Sequence, residues 1–181
     1  MTRTVYYTAT TLDGYIADEQ DSLQWLFEQE TDEGGPAGYE DFIAGIGAIV
    51  MGATTYEWVR EHLGRTGEDW PYDLPCWVLT HRDLPSVDDG IRFASGDVRE
   101  LHPAMVEAAG DRGVWVVGGG DLAGQFADHG LLDQVVVSIA AVTLGAGRPL
   151  LPRRLDLKLV ETGRNGGFVV ATYDVTGPRS D

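Results

Sequence analysis

Cysteine is nearly missing from this chain: Cys76 is the only one in 181 residues. One thiol cannot close an internal disulfide or begin a cysteine metal knuckle, so no metal site is expected and a reducing cytoplasm is the expected compartment. Cys76 stands in the apolar run Cys76-Trp77-Val78-Leu79 and reads as a small buried hydrophobe rather than a nucleophile. Long apolar runs are lacking too. None approaches the roughly 20 residues of a membrane span. Met1 leads straight into the alternating pattern Thr4-Val5-Tyr6-Tyr7-Thr8, without the cationic start and apolar core of a signal peptide. Positive charge is also short, with 13 Lys and Arg against 29 Asp and Glu and a net charge of −16. That excess works against nucleic acid or an anionic membrane as partner. Between Asp18 and Asp41 there are nine carboxylates and no Lys or Arg, which reads as a solvated acidic region. Any anionic cofactor must therefore be held by local donors against the overall field.

What is present suits one α/β domain over residues 1–181, long enough to bury a full core. Repeats and linkers are absent. Strands are predicted at 3–11, 48–51, 76–80, 91–93, 114–117 and 134–142, from apolar and β-branched runs. Helices are predicted at 22–30, 38–45, 54–62, from the Asp97 cap to about Ala109, and at 120–129. Two last strands, 156–164 and 168–175, flank Asn165-Gly166-Gly167, a hairpin signal. Strand 134–142 is apolar on both alternating faces, as expected of a strand buried on both sides or at a subunit contact.

The most informative stretch is Val114-Trp115-Val116-Val117-Gly118-Gly119-Gly120-Asp121-Leu122. A strand that ends in glycine and turns into a helix presents bare backbone N–H groups at a helix N-terminus. There a phosphate can approach without a Cβ in the way. The bland alternative is a tight strand-to-helix turn without a ligand. Gly118, Gly120 and Ala123 also satisfy G-x-G-x-x-A, but the following strand ends in no acid for a ribose, as a Rossmann unit would want. The turn also comes late, with one further crossover before an antiparallel hairpin. A mixed sheet with an antiparallel C-terminal end fits this order better.

Further motifs surround the triplet. They are Leu12-Asp13-Gly14-Tyr15-Ile16-Ala17, Val50-Met51-Gly52-Ala53-Thr54-Thr55-Tyr56-Glu57, Val78-Leu79-Thr80-His81-Arg82 and Gly145-Ala146-Gly147-Arg148-Pro149-Leu150. In this order they resemble the dihydrofolate reductase fold over about residues 3–175, and most closely the branch containing the reductase domain of bacterial riboflavin biosynthesis. The resemblance implies a three-layer α/β fold: a central, mostly parallel mixed sheet, helices on both faces and an antiparallel C-terminal hairpin. It also implies an NADPH-dependent reductase acting on a small heterocyclic or sugar-linked carbonyl or imine, and a homodimer.

By the same resemblance, two helix starts would face one pyrophosphate: Gly52, Ala53, Thr54 and Thr55, and Gly118, Gly119, Gly120, Asp121 and Leu122. Thr80, His81 and Arg82 would lie beside the adenosine, Arg82 gripping a 2′-phosphate. Backbone near Ala9 and Ile16 would hold the nicotinamide. Ala53 replaces the family's arginine, so more weight falls on Arg82. His81 reads as a polar loop residue rather than a catalyst. Asp13 is the candidate proton donor, with water as its rival. No acid of Gly38-Tyr39-Glu40-Asp41-Phe42 is clearly placed to grip a pterin, and Trp25, Tyr39 and Phe42 read equally as pocket or core. A true dihydrofolate reductase and a noncatalytic nucleotide-binding module are the alternatives.

Overall fold

In a computed structural model, described over residues 1–180, the sheet-forming runs fall largely where the apolar patterns place them. The strands are β1 (Thr4–Thr11), β2 (Tyr15–Ala17), β3 (Ile46–Gly52), β4 (Cys76–Leu79), β5 (Ile91–Ala94), β6 (Gly113–Gly118), β7 (Gln134–Ala140), β8 (Arg148–Pro149), β9 (Leu155–Asn165) and β10 (Phe168–Pro178). The helices are α1 (Gln24–Phe27), α2 (Tyr39–Ala44), α3 (Ala53–Thr66), α4 (Val98–Ala109) and α5 (Gly120–Asp128). Eight strands make one sheet in the order β5-β4-β3-β6-β1-β7-β10-β9. The strands from β5 to β7 run parallel, and β10 is antiparallel to both β7 and β9.

Each parallel strand divides its side chains between two cores, as a strand covered on both faces must. Val50 and Val116 join Met105 of α4 and Phe126 of α5 on one face. Ile49, Met51 and Trp115 join Tyr56 of α3 on the other. Cys76 is fully buried in this second core, and burial pushes its thiol up to about 12, as expected of a packing residue. Strand 134–142 resolves the same way: β7 lies inside the sheet between β1 and β10 and is a core strand.

Two expectations about element length change. The helix foreseen over 22–30 shrinks to the single turn α1, whose N-cap Leu23 offers no side-chain acceptor. The helix foreseen over 54–62 runs on through Gly64 to Thr66 and stops at Gly67. There φ is 74° and the Gly67 N–H bonds to Leu63 O at 2.8 Å. The small β2–β8 sheet was not foreseen; strands of three and two residues carry too little alternation to read.

Candidate functional site: a glycine crevice and an adjoining cleft

The strands β3 and β6 are parallel neighbours, with Met51 opposite Gly118. The helix after β3 packs on one face of the sheet and the helix after β6 on the other. Adjacent strands whose helices leave to opposite faces open a crevice at their carboxyl ends, where ligands of open α/β sheets bind.

Both helices begin in this crevice with bare backbone. The N-cap of α3 is Gly52 and that of α5 is Gly119, and neither receives a side-chain cap. The first-turn amides of Ala53, Thr54 and Thr55, and of Gly120, Asp121 and Leu122, precede the first intrahelical bonds. Each helix also brings its positive dipole end. The glycines have different reasons to be there. A Cβ on Gly118 would lie 3.1 Å from Thr55 Oγ1, so Thr55 and Gly118 are already in contact across the crevice. A Cβ on Gly120 would lie 2.3 Å from Pro149 O, which only glycine permits. Gly119 is open: its nearest neighbour would be Ile16 Cδ1 at 3.9 Å. The Gly118–Gly119 peptide is cis. Ile16, Gly52, Thr55, Gly118 and Gly119 are therefore brought together, with room for a side chain at Gly119 up to contact with Ile16.

The remaining expected residues fall around this centre. Ala9 lies on β1, opposite Ser138 of β7 and against the Trp25 cluster. Leu122 is buried and offers only its backbone. The Asp121 side chain turns away to Gln125 and Arg153, which hold its carboxyl below the usual range. Just beyond β4, Thr80 donates its N–H to Ala94 O at 2.9 Å and accepts the Arg82 N–H on its hydroxyl at 3.0 Å. His81 is exposed at this turn. The Arg82 guanidinium is not free: Nη1 and Nη2 donate to the two Glu57 carboxylate oxygens at 3.1 and 2.6 Å. Glu57 lies just over a turn into α3, so this pair ties the β4 turn to the crevice.

Asp13, the candidate proton donor, is engaged by three donors. Its carboxylate accepts the Thr11 hydroxyl at 2.6 Å, the Gly145 N–H at 2.7 Å and the Leu144 N–H at 3.1 Å. The Thr11 hydroxyl, then the two amides, hold its carboxyl below the ordinary value. An ionised acceptor clamped by three donors is a loop fastener and a poor source of protons. It acts with Gly14 O, which accepts Leu150 N–H at 2.9 Å, and with Gly147, where a Cβ would lie 2.2 Å from Ala17 O. Together these contacts seat the 145–150 loop on the 12–17 loop and against Gly120.

Beside the crevice, the segment 20–27 and α3 enclose a cleft of about 570 Å³, into which Thr54 and Glu57 both project. Its aromatic wall is Phe27, Trp58 and His62. Trp58 and His62 stack at 5.0 Å between centroids with 12° between planes, and Phe27 lies 6.0 Å from each, nearly parallel to both. Sequence reasoning missed this wall, although Trp58 and His62 stand at i and i+4 on one helix face, a legible signal. It offered Trp25, Tyr39 and Phe42 instead. Trp25 is buried with Phe168 and Val170 and lines neither the crevice nor this cleft. Phe42 stacks on Tyr7 at 4.0 Å, and Tyr39 meets Trp115 edge-on.

With this geometry in view, the comparisons with known proteins decide the family. Residues 4–167 match the family described as the RibD C-terminal domain. The chain belongs to the RibD C-terminal domain family. An uncharacterized protein of Bacillus subtilis, YwjB, is 31% identical over 175 residues, covering 94% of this chain and 97% of its own length. A Shewanella sp. PV-4 structure described as a riboflavin biosynthesis protein superposes with a TM-score of 0.81 at 25% identity, over 97% of this chain and 99% of its own. The Thermotoga maritima diaminohydroxyphosphoribosylaminopyrimidine deaminase/5-amino-6-(5-phosphoribosylamino)uracil reductase gives 0.67 at 18%, over 96% of this chain and 56% of its own. Enterococcus faecalis dihydrofolate reductase complexed with NADP(H) gives 0.55 at 13%, over 96% of each chain. The dihydrofolate reductase-like fold of this RibD-type chain is thereby established.

Proposed function

We propose that this RibD-type chain is an NADPH-dependent reductase that delivers hydride to a small heterocyclic or sugar-linked carbonyl or imine. The observation that carries the reading is the pair of uncapped helix starts at Gly52 and Gly119, facing one crevice with the open side of Gly119 between them. The family and its reductase-named structural neighbours support it.

In this reading the first-turn amides of α3 and α5 hold the pyrophosphate, and Thr54 and Thr55 add hydroxyl donors. Arg82, steadied by Glu57, meets the 2′-phosphate. Backbone near Ala9 and Ile16 would hold the nicotinamide carboxamide, and the cleft between 20–27 and α3 would take the substrate. NADPH, when bound, supplies the hydride. The chain supplies position and excludes water around the reacting atoms. Asp13 keeps the covering loops in register, and water is the proton source.

Thermal unfolding with and without NADPH tests the proposal. At a hundredfold excess over its dissociation constant the cofactor adds about 2.7 kcal/mol, a rise of about 5–10 °C for a chain of this size. Gly119→Val puts a branched side chain where the phosphate belongs and abolishes the rise while the free protein still melts cooperatively. An unmoved melting temperature with the unaltered protein would overturn the reading.

A further inference from the structure

The cleft beside α3 has a charge pattern that no phosphate would choose. Its walls carry Asp21, Glu57 and Glu61, with Arg65 as the arginine among them. Two further arginines nearby are already engaged. Arg148 donates through Nε to Asp21 at 2.6 Å and through Nη2 to its second oxygen at 3.1 Å, and Arg82 is held by both oxygens of Glu57. Glu61 stands one turn before Arg65 on α3, so an acid and a base share that end of the cleft. His62 has the Glu68 carboxylate 3.9 Å from its Nε2. The amides at the α3 N-terminus belong to the cofactor in the proposed reading, which leaves Arg65 and the neutral donors Gln20, Ser22 and Gln24 facing three carboxylates. All of this sits in a protein of net charge −16.

The wall between these charges is aromatic, made of the nearly parallel, mutually stacked rings of Phe27, Trp58 and His62. Phe27 is 59% exposed and so has ring surface to offer. Rings of this kind gain most from a partner that is also flat, and the cleft is of the size that takes small organic ligands.

We infer that the substrate cleft takes a planar heterocycle without a phosphate group, neutral or cationic, stacked against the Phe27–Trp58–His62 wall. The inference rests on the proposed reductase reading for the identity of the cleft. It sets this chain apart from the Thermotoga maritima neighbour, whose named substrate is phosphoribosylated.

Riboflavin and riboflavin 5′-phosphate make a matched pair of probes, sharing one ring system and differing by the phosphate. Each is titrated calorimetrically into the full chain saturated with NADP⁺. Riboflavin is expected to bind, with the phosphate ester at least tenfold weaker, and Glu61→Gln narrows that gap. Trp58→Ala loses riboflavin while keeping the thermal shift with NADPH. Trp58→Phe, which retains a flat ring, keeps both and controls for folding. Equal or tighter binding of the phosphate ester, or no binding of either probe, overturns the inference. Failure of NADPH to shift the melt counts instead against the reductase reading, so the two failures are separable.

Discussion

Arg82 holds its guanidinium in a two-point grip on Glu57, and that pair decides how much of the cation is left for a cofactor. Two of its donors are engaged at 3.1 and 2.6 Å. The pair is exposed, so solvent screens it and its own contribution to stability is small. Its effect is on competition: a 2′-phosphate must share the guanidinium with a carboxylate. A charge-assisted hydrogen bond contributes about 1.5–3 kcal/mol, and sharing places Arg82 at the lower end. Arg82→Ala is therefore expected to weaken NADPH about tenfold and leave NADH nearly unchanged. Glu57→Gln, which removes the competing charge, tightens NADPH severalfold without touching NADH. Calorimetric titration of both cofactors on the three proteins reads the result, and equal losses for the two cofactors in Arg82→Ala would assign Arg82 to the fold or the pyrophosphate. Arg82 itself was legible as a cation just past a strand end. Glu57 was not, because the contact spans 25 residues of sequence and exists only once α3 lies beside the β4 turn. The engagement of Asp13 was hidden for the same reason: its partners Leu144 and Gly145 are 131 and 132 residues away.

At the scale of elements, the glycine turn works because three loops hold one another. Gly120 lets α5 start against the carbonyls of Pro149 and Leu150, where a Cβ would lie 2.3 and 2.4 Å away. Backbone cannot yield as a flexible side chain can, so Gly120→Ala must shift either the helix start or the 148–150 segment. Overpacking of this kind costs about 1–3 kcal/mol, and at 2–4 °C per kcal/mol the melting temperature falls by roughly 2–12 °C. Cofactor affinity should fall with it. Gly119→Ala, by contrast, meets only Ile16 Cδ1 at 3.9 Å and should keep the fold while weakening the cofactor. Differential scanning calorimetry of the two variants separates them, and equal losses of stability would refute the distinction. The turn was legible because four strand-forming residues run into three glycines, a local pattern. Neither β2 nor β8 was, because what defines them is the seat of Gly147 on Ala17 O and the Leu150 N–H on Gly14 O. Helix α3 was legible in place but not in length, since only the Gly67 cap ends it.

For the whole molecule, the sheet ends differ in a way that bears on assembly. Strand β5 is four residues long, whereas the opposite edge, β9, runs for eleven with its outer side unpaired among the described residues. Leu157, Leu159 and Val160 of β9 and Val169 of β10 are 43–56% exposed. A long edge with exposed Leu and Val among its charges can accept another strand, and a second copy presenting the same edge would satisfy it through a two-fold axis. The register shift between Thr172 and Tyr173 leaves Val160 without an opposite residue, a bulge that bends this edge and limits which partner fits. We propose that the expected homodimer forms through β9, the strand 134–142 being central in the sheet. Light scattering at micromolar concentration should give twice the 19.6 kDa of one chain. Paired charges of one sign across a two-fold contact repel, so Leu159→Asp should yield a monomer that still shows the NADPH shift, the crevice lying at the carboxyl ends of β3 and β6. A monomer mass for the unaltered protein would refute the dimer. A dimer that persists in Leu159→Asp would place the contact away from this edge.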